Sequence, residues 1–171
     1  MNRLISISIF AVALVSSTVA FAQDSAHTPA DTTQDTIDVQ HVMDAYHEAV
    51  VTHDGSRLAA LFIPEGSTWL NVLSDDAYAR AKAKSPDAAK VRVGSYKDFA
   101  KLVSTSKANF NPTRTNLRIQ SDGTIASVYF DFVFLIDGKE QNRGSESWQL
   151  VKGSDGWRIA AITYSSQPRI Q

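Results

Sequence analysis

The pair Asp137-Gly138, set between two long β-rich runs, constrains this chain more than any other feature. A two-residue Asp-Gly link needs positive φ at both positions and joins antiparallel strands by matching their twist. Before it, Thr124 to Ile136 carries Val128, Tyr129, Phe130, Phe132, Val133 and Phe134. After it, Lys139 to Val151 carries Trp148 and Leu150. Ser121-Asp122-Gly123 and Gly153-Ser154-Asp155-Gly156 are further turns. They add a strand from Arg114 to Gln120 on one side and one from Trp157 to Tyr164 on the other. The C-terminal third therefore predicts three to four antiparallel strands.

The N-terminal half reads differently. Val39, Val42, Met43, Tyr46, Val50 and His53 recur at helical spacing behind an N-cap at Thr36 or Asp38, and Asp54-Gly55-Ser56 breaks the helix. A short second helix turns Leu58, Leu61 and Phe62 inward and ends at Pro64. Thr68 to Leu73 alternates around Trp69 and Val72 as a strand. Residues 74–94 are rich in Ala, Lys and Asp and form a partly helical, locally basic surface insertion. Ser95 caps a helix bearing Phe99, Leu102 and Val103, and Asn111-Pro112 closes that region. Helices segregated from an antiparallel sheet define an α+β class.

The first 22 residues have the three parts of a secretory signal: Arg3, an apolar run from Leu4 to Phe21, and Ala20-Phe21-Ala22 as a cleavage pattern. Cleavage there predicts an exported protein, periplasmic or extracellular, with no membrane attachment afterwards. Residues 23–35 are small, polar and Thr-rich and read as a disordered leader. The remainder, 36–171, is the size of one domain. Losing the one Arg of the signal from 17 basic residues leaves 16 against 18 acidic ones, a net charge of −2. That balance predicts no nucleic-acid partner. With no cysteine, the chain has no thiol catalysis, Fe–S cluster or cysteine zinc site. No Gly-x-Ser-x-Gly, P-loop or dinucleotide fingerprint is present, so no cofactor is expected.

Several phrases together resemble the nuclear transport factor 2-like superfamily, the SnoaL and ketosteroid-isomerase-like cone fold. They are Tyr46-x-x-Ala49, His53-Asp54 and Leu58-x-x-Leu61-Phe62, then Gly144-x-x-x-Trp148-x-Leu150-Val151, Asp155-Gly156-Trp157-x-Ile159 and Tyr164-Ser165. The resemblance implies a curved sheet wrapped around a long first helix, with a pocket at the open end and frequent homodimers through the outer sheet face. It implies no particular reaction, because the fold hosts isomerases, hydrolases and members without known chemistry.

An ideal Asp137-Gly138 hairpin pairs Ile136 with Lys139, Tyr129 with Glu146, Asp131 with Gly144 and Ser127 with Trp148. Tyr129, Asp131, Glu146 and Trp148 then share one sheet face. If that face lines a dry pocket, Asp131 or Glu146 is a candidate general base; if it faces solvent, both are ordinary surface carboxyls. The opposite face carries Val128, Phe130, Phe132, Phe134 and Ile136 on one strand but Gln141, Arg143, Ser145 and Ser147 on the other. The pattern alone leaves open which face is concave. The same register puts Arg143 opposite Phe132, away from Asp131, which argues against an Asp–Arg–Asp relay. Tyr46 on the first helix and Trp69 complete the candidate ligand-binding set, each with core packing as the alternative. His41, Asp44 and His47 sweep too much of the helix to converge on a metal. Three roles fit: binding a small, partly apolar molecule, a dimeric interaction role, or catalysis with a pocket carboxylate.

Overall fold

Whether the Asp137-Gly138 link makes a plain hairpin decides which side chains look inward. The computed structural model of the chain describes residues 32–169. The expected signal peptide and residues 23–31 of the leader lie outside the described residues. Ten elements follow in order: α1 (Thr32–Val51), α2 (Gly55–Ala60), β1 (Thr68–Leu73), α3 (Asp75–Lys84), β2 (Val91–Val93), α4 (Tyr96–Thr105), β3 (Phe110–Ser121), β4 (Ile125–Ile136), β5 (Lys139–Gly153) and β6 (Gly156–Ser166).

The six strands form one mixed sheet in the order β2-β1-β6-β5-β4-β3. The β3–β6 meander is antiparallel, as the turn signals require, whereas β1 joins β6 in parallel. The meander supplies four strands in the C-terminal third and β1 is the strand expected at Thr68–Leu73, so β2 alone is the unexpected addition to the sheet. The α+β class holds: α1 packs across the sheet's concave face and α2 packs against α4.

Local signals account for most helix boundaries. The Ser95 side chain accepts from the N–H groups of Lys97 and Asp98 at the start of α4, and Ser74 caps α3 through the Ala77 N–H. The insertion at 74–94 is partly helical, as read, but its last residues form β2, which pairs with β1. Two boundaries differ from expectation. Helix α1 begins at Thr32, so the last leader residues are helical, and buried Asp35 pairs with Lys152 Nζ at 2.7 Å. Asn111 and Pro112 do not close the α4 region but lie inside β3, an edge strand on which a missing proline N–H costs no ladder bond.

The hairpin is not ideal. Asp137 (φ 50°) and Gly138 (φ 74°) turn as expected and Ile136 faces Lys139, but one extra residue, Gln141, then bulges out of β5. From there on every pair moves by one: Asn142 faces Phe134, Gly144 faces Phe132, Glu146 faces Phe130 and Trp148 faces Val128. A one-residue slip turns every later side chain to the other face. This corrects the expected register. Glu146 and Trp148 lie on the concave face with the β4 aromatics, while Tyr129 and Asp131 lie on the convex face. The resulting rows agree in chemistry: Val128, Phe130, Trp148 and Leu150 are all buried.

Two more bulges bend the same sheet. On β3 the pairing jumps between Thr115 and Arg118 at Asn116, whose φ is 56°. On β6 Ala160 is extra, since Gln149 faces Ala161 but Leu150 faces Ile159. That extra residue lets Ile159 and Ile162, three apart, both point inward, and it brings Tyr164 opposite Glu146. Gly144 is required where the curved strands crowd. A Cβ there would lie 2.1 Å from the Ser165 carbonyl oxygen.

Candidate functional site

The concave face and α1 do not close on each other completely. They leave a cavity of about 300 Å³ whose aromatic wall is Tyr46 from α1, Trp69 from β1, Phe99 from α4, Phe132 and Phe134 from β4 and Tyr164 from β6. That volume is at the small end of the range for ligand pockets. The rings brace one another. Trp69 lies 5.5 Å from Phe99 and 6.3 Å from Tyr164, and Tyr46 lies 4.9 Å from Trp148, centroid to centroid. Edge-on and tilted arrangements of this kind are the favourable ones for aromatic quadrupoles. Gly94 also lines the cavity, and a Cβ there would meet Trp69 Cδ1 at 2.7 Å.

Glu146 is the only carboxyl among the described residues lining this space. Trp148 Nε1 donates to its Oε2 at 2.6 Å. Burial among rings disfavours the charged form and pushes the carboxyl up to about 7, with the Trp148 hydrogen bond opposing part of that rise. Two hydroxyls share the region. Burial holds Tyr46 well above the ordinary tyrosine range, and the nearby Glu146 charge reinforces it. Tyr164 is raised for the same first reason. Near neutral pH the site thus holds protonated phenols beside a carboxyl that exists in both forms.

Of the six residues expected at the site, the structure brings together four. Tyr46, Trp69 and Glu146 line the cavity, and Trp148 lies buried beneath, holding Glu146. The other two are misplaced by the bulge. Tyr129 is exposed on the convex side with the Arg118 guanidinium over its ring. Asp131, also convex, accepts from Asn116 Nδ2 and Ser145 Oγ, both at 2.7 Å, and these bonds hold it below the usual carboxylate range. Arg143 shares that convex face, contrary to the ideal register, but it grips Glu140 through two 2.6 Å bonds and forms no relay with Asp131.

Tyr164 and Phe132 were not among the expected site residues, although Tyr164 follows from the β6 bulge and Phe132 from the aromatic face of β4. The His41–Asp44–His47 set disperses: His41 is exposed, Asp44 pairs with Arg114, and His47 Nδ1 lies 2.9 Å from the Pro112 carbonyl oxygen. His53 sits just past α1 at φ 60°, its Nδ1 3.0 Å from the Val103 carbonyl oxygen.

The sequence matches no protein-family model and no curated protein. Solved structures do match its shape. An NTF2-like protein of unknown function from Shewanella baltica has a TM-score of 0.57 at 18% identity, over 80% of this chain and 97% of that one. Another from Pseudomonas putida reaches 0.61 at 9% identity, over 82% and 92%. A proposed scytalone dehydratase from Novosphingobium aromaticivorans gives 0.57 at 18% identity, over 81% and 91%. At such identities the likeness speaks for architecture alone. The chain has the NTF2-like fold, a helix-filled cone of curved sheet with an aromatic pocket at its open side.

Proposed function

We propose that this protein binds a small, partly apolar molecule in the cone pocket, with the molecule's polar end on Glu146. The observation that carries the reading is a space of about 300 Å³ walled by six aromatic rings around Glu146, the one carboxyl of the described residues that lines it. Aromatic walls favour a flat apolar body, and one carboxyl fixes its orientation through a hydrogen bond. Trp69, in the wall, provides the test. Calorimetric titration with phenol and 2-naphthol gives saturable binding, and Trp69→Leu weakens it by about tenfold or more through lost ring contact. Absence of saturable binding for both compounds, or an affinity indifferent to Trp69→Leu, overturns the proposal.

A second reading, catalysis, is favoured by the burial of Glu146 among rings, which pushes its carboxyl up to about 7. A carboxyl poised there takes or gives a proton with little driving-force penalty in either direction. The Tyr46 and Tyr164 hydroxyls, held protonated, would donate to an oxyanion formed next to it. Asp131 takes no part from the convex side. The probe is solvent-deuterium incorporation at the carbon beside the carbonyl of cyclohexanone, followed by NMR. Enhanced exchange that Glu146→Gln abolishes while naphthol binding persists supports this reading; exchange equal to buffer alone removes it for this substrate class.

A further inference from the structure

Beyond Asn71 on the same concave side, a larger space opens between α3, the β1–β2 edge and the tail after β6. It measures about 450 Å³. Its apolar floor includes Leu73 and Ala77, and four cations surround it: Arg80, Lys84, Arg92 and Arg169. We propose that this cleft is a second binding site, which takes the oxyanion group, phosphate or carboxylate, of a small molecule with a short apolar body.

Each element contributes for a stated reason. Arg80 and Lys84 are four apart on α3 and so share a face with Ala77 and Ala81, while Lys82 turns away to the Pro86 carbonyl oxygen. Arg92 lies opposite Asn71, which lies opposite Tyr164, so one row of the sheet leads from the cleft toward the aromatic pocket. Arg169 is held by backbone. The Gln167 N–H donates to the Arg143 carbonyl at 2.9 Å, and the Arg169 N–H donates to the Gln141 carbonyl at 3.0 Å. The Arg80 guanidinium fixes the same tail through the Pro168 carbonyl at 3.4 Å, with its remaining N–H donors free for a ligand.

Charge gives the cleft its chemistry. No Asp or Glu among the described residues lines it. Of the acids near it, Glu140 is paired with Arg143 and Asp75 with Lys90, while Asp76 lies one turn before Arg80 on α3 without lining the cleft. Six Lys or Arg side chains of the described residues make ion pairs, and none of the six is a cleft cation. Arg169 lies within Coulombic reach of Glu140, but none of the four cations makes an ion pair among the described residues, and an anion that enters the cleft meets all of their like charges at once. Guanidinium forks match the geometry of phosphate and carboxylate oxygens, and the Leu73–Ala77 floor suits a short hydrocarbon or ring.

The test uses phenyl phosphate and benzoate as anionic probes, with phenol as the neutral one, by calorimetry at low salt. Phenyl phosphate or benzoate binds saturably, and the tighter of the two names the anion. Arg92→Gln combined with Lys84→Gln weakens that binding by about tenfold or more, added salt weakens it further, and phenol is unaffected. Trp69→Leu leaves anion binding in place, so the cleft and the cone pocket are separately testable. No saturable binding of either anion at ~10 mM overturns the proposal. So does binding that survives the double substitution but disappears with Trp69→Leu.

Discussion

Replacing Glu146 by Gln should make the protein more stable at alkaline pH and leave it nearly unchanged in mild acid. In the folded chain this carboxyl ionises at about 7, chiefly because burial penalises its charge; its unshifted value is 4.5. Between those two pH values the native state keeps a proton that the unfolded state has already lost. Stability from this group is therefore full below about 4.5, declines as pH rises through 7, and levels off above it. At about 1.4 kcal/mol per pKa unit, the decline amounts to about 3 kcal/mol. Glutamine keeps an oxygen for the Trp148 indole N–H but has no proton to lose. Urea unfolding of both proteins across about pH 5 to 8 should show the stability difference growing by about 2 to 3 kcal/mol in favour of the variant, with equal m-values. The groups whose pKa is lowered, Asp75, Asp131, Glu140 and Asp155, lose their contributions only as pH falls through their depressed values, outside this window. A stability difference that stays flat over the range would refute the reasoning that Glu146 is buried and neutral in the native pocket.

Gly144→Ala places a methyl 2.1 Å from the Ser165 carbonyl and should cost about 3 kcal/mol or more, measured by thermal or urea unfolding. Trp148→Phe removes the indole donor from Glu146, so the carboxyl should titrate still higher than about 7 in a ¹³C NMR titration, accompanied by some loss of packing stability. Asp131→Asn should leave naphthol affinity and the Glu146 titration unchanged, because Asp131 bonds to Asn116 and Ser145 on the far side of the sheet. A change in either reading would place Asp131 at the pocket after all.

Much of the architecture is legible because its determinants are local. Ser95 and Ser74 announce helix starts by their capping oxygens, and Asp137-Gly138 announces a turn that only positive φ can make. The α1 stripe places Tyr46 inward without help from other segments. The faces of β5 are another matter. A bulge leaves no short-range mark, since any residue can be the extra one and the choice is made by which faces pack together. Its trace in the sequence is indirect: the ideal register lays Gln141, Arg143, Ser145 and Ser147 against a row of phenylalanines. Slipping one residue exchanges them for Asn142, Gly144, Glu146 and Trp148 and continues the buried row to Leu150. The parallel joining of β1 to β6 is invisible for the same reason. It depends on where two distant segments meet, as does the gathering of Arg80, Lys84, Arg92 and Arg169 around one cleft.

The bulge at Gln141 works like punctuation in a two-letter alphabet. A strand spells in-out-in-out, and one inserted character inverts the meaning of each letter behind it. Paired without the bulge, the same unaltered sequence would read Ser145, Ser147 and Gln149 into the cone in place of Glu146, Trp148 and Leu150. The chemistry of the pocket is thus encoded as much by phase as by residue identity. For relatives of the same shape, sequences aligned across β5 without regard to that one position would pair pocket residues with surface residues, and a carboxyl shared between them would look absent from both.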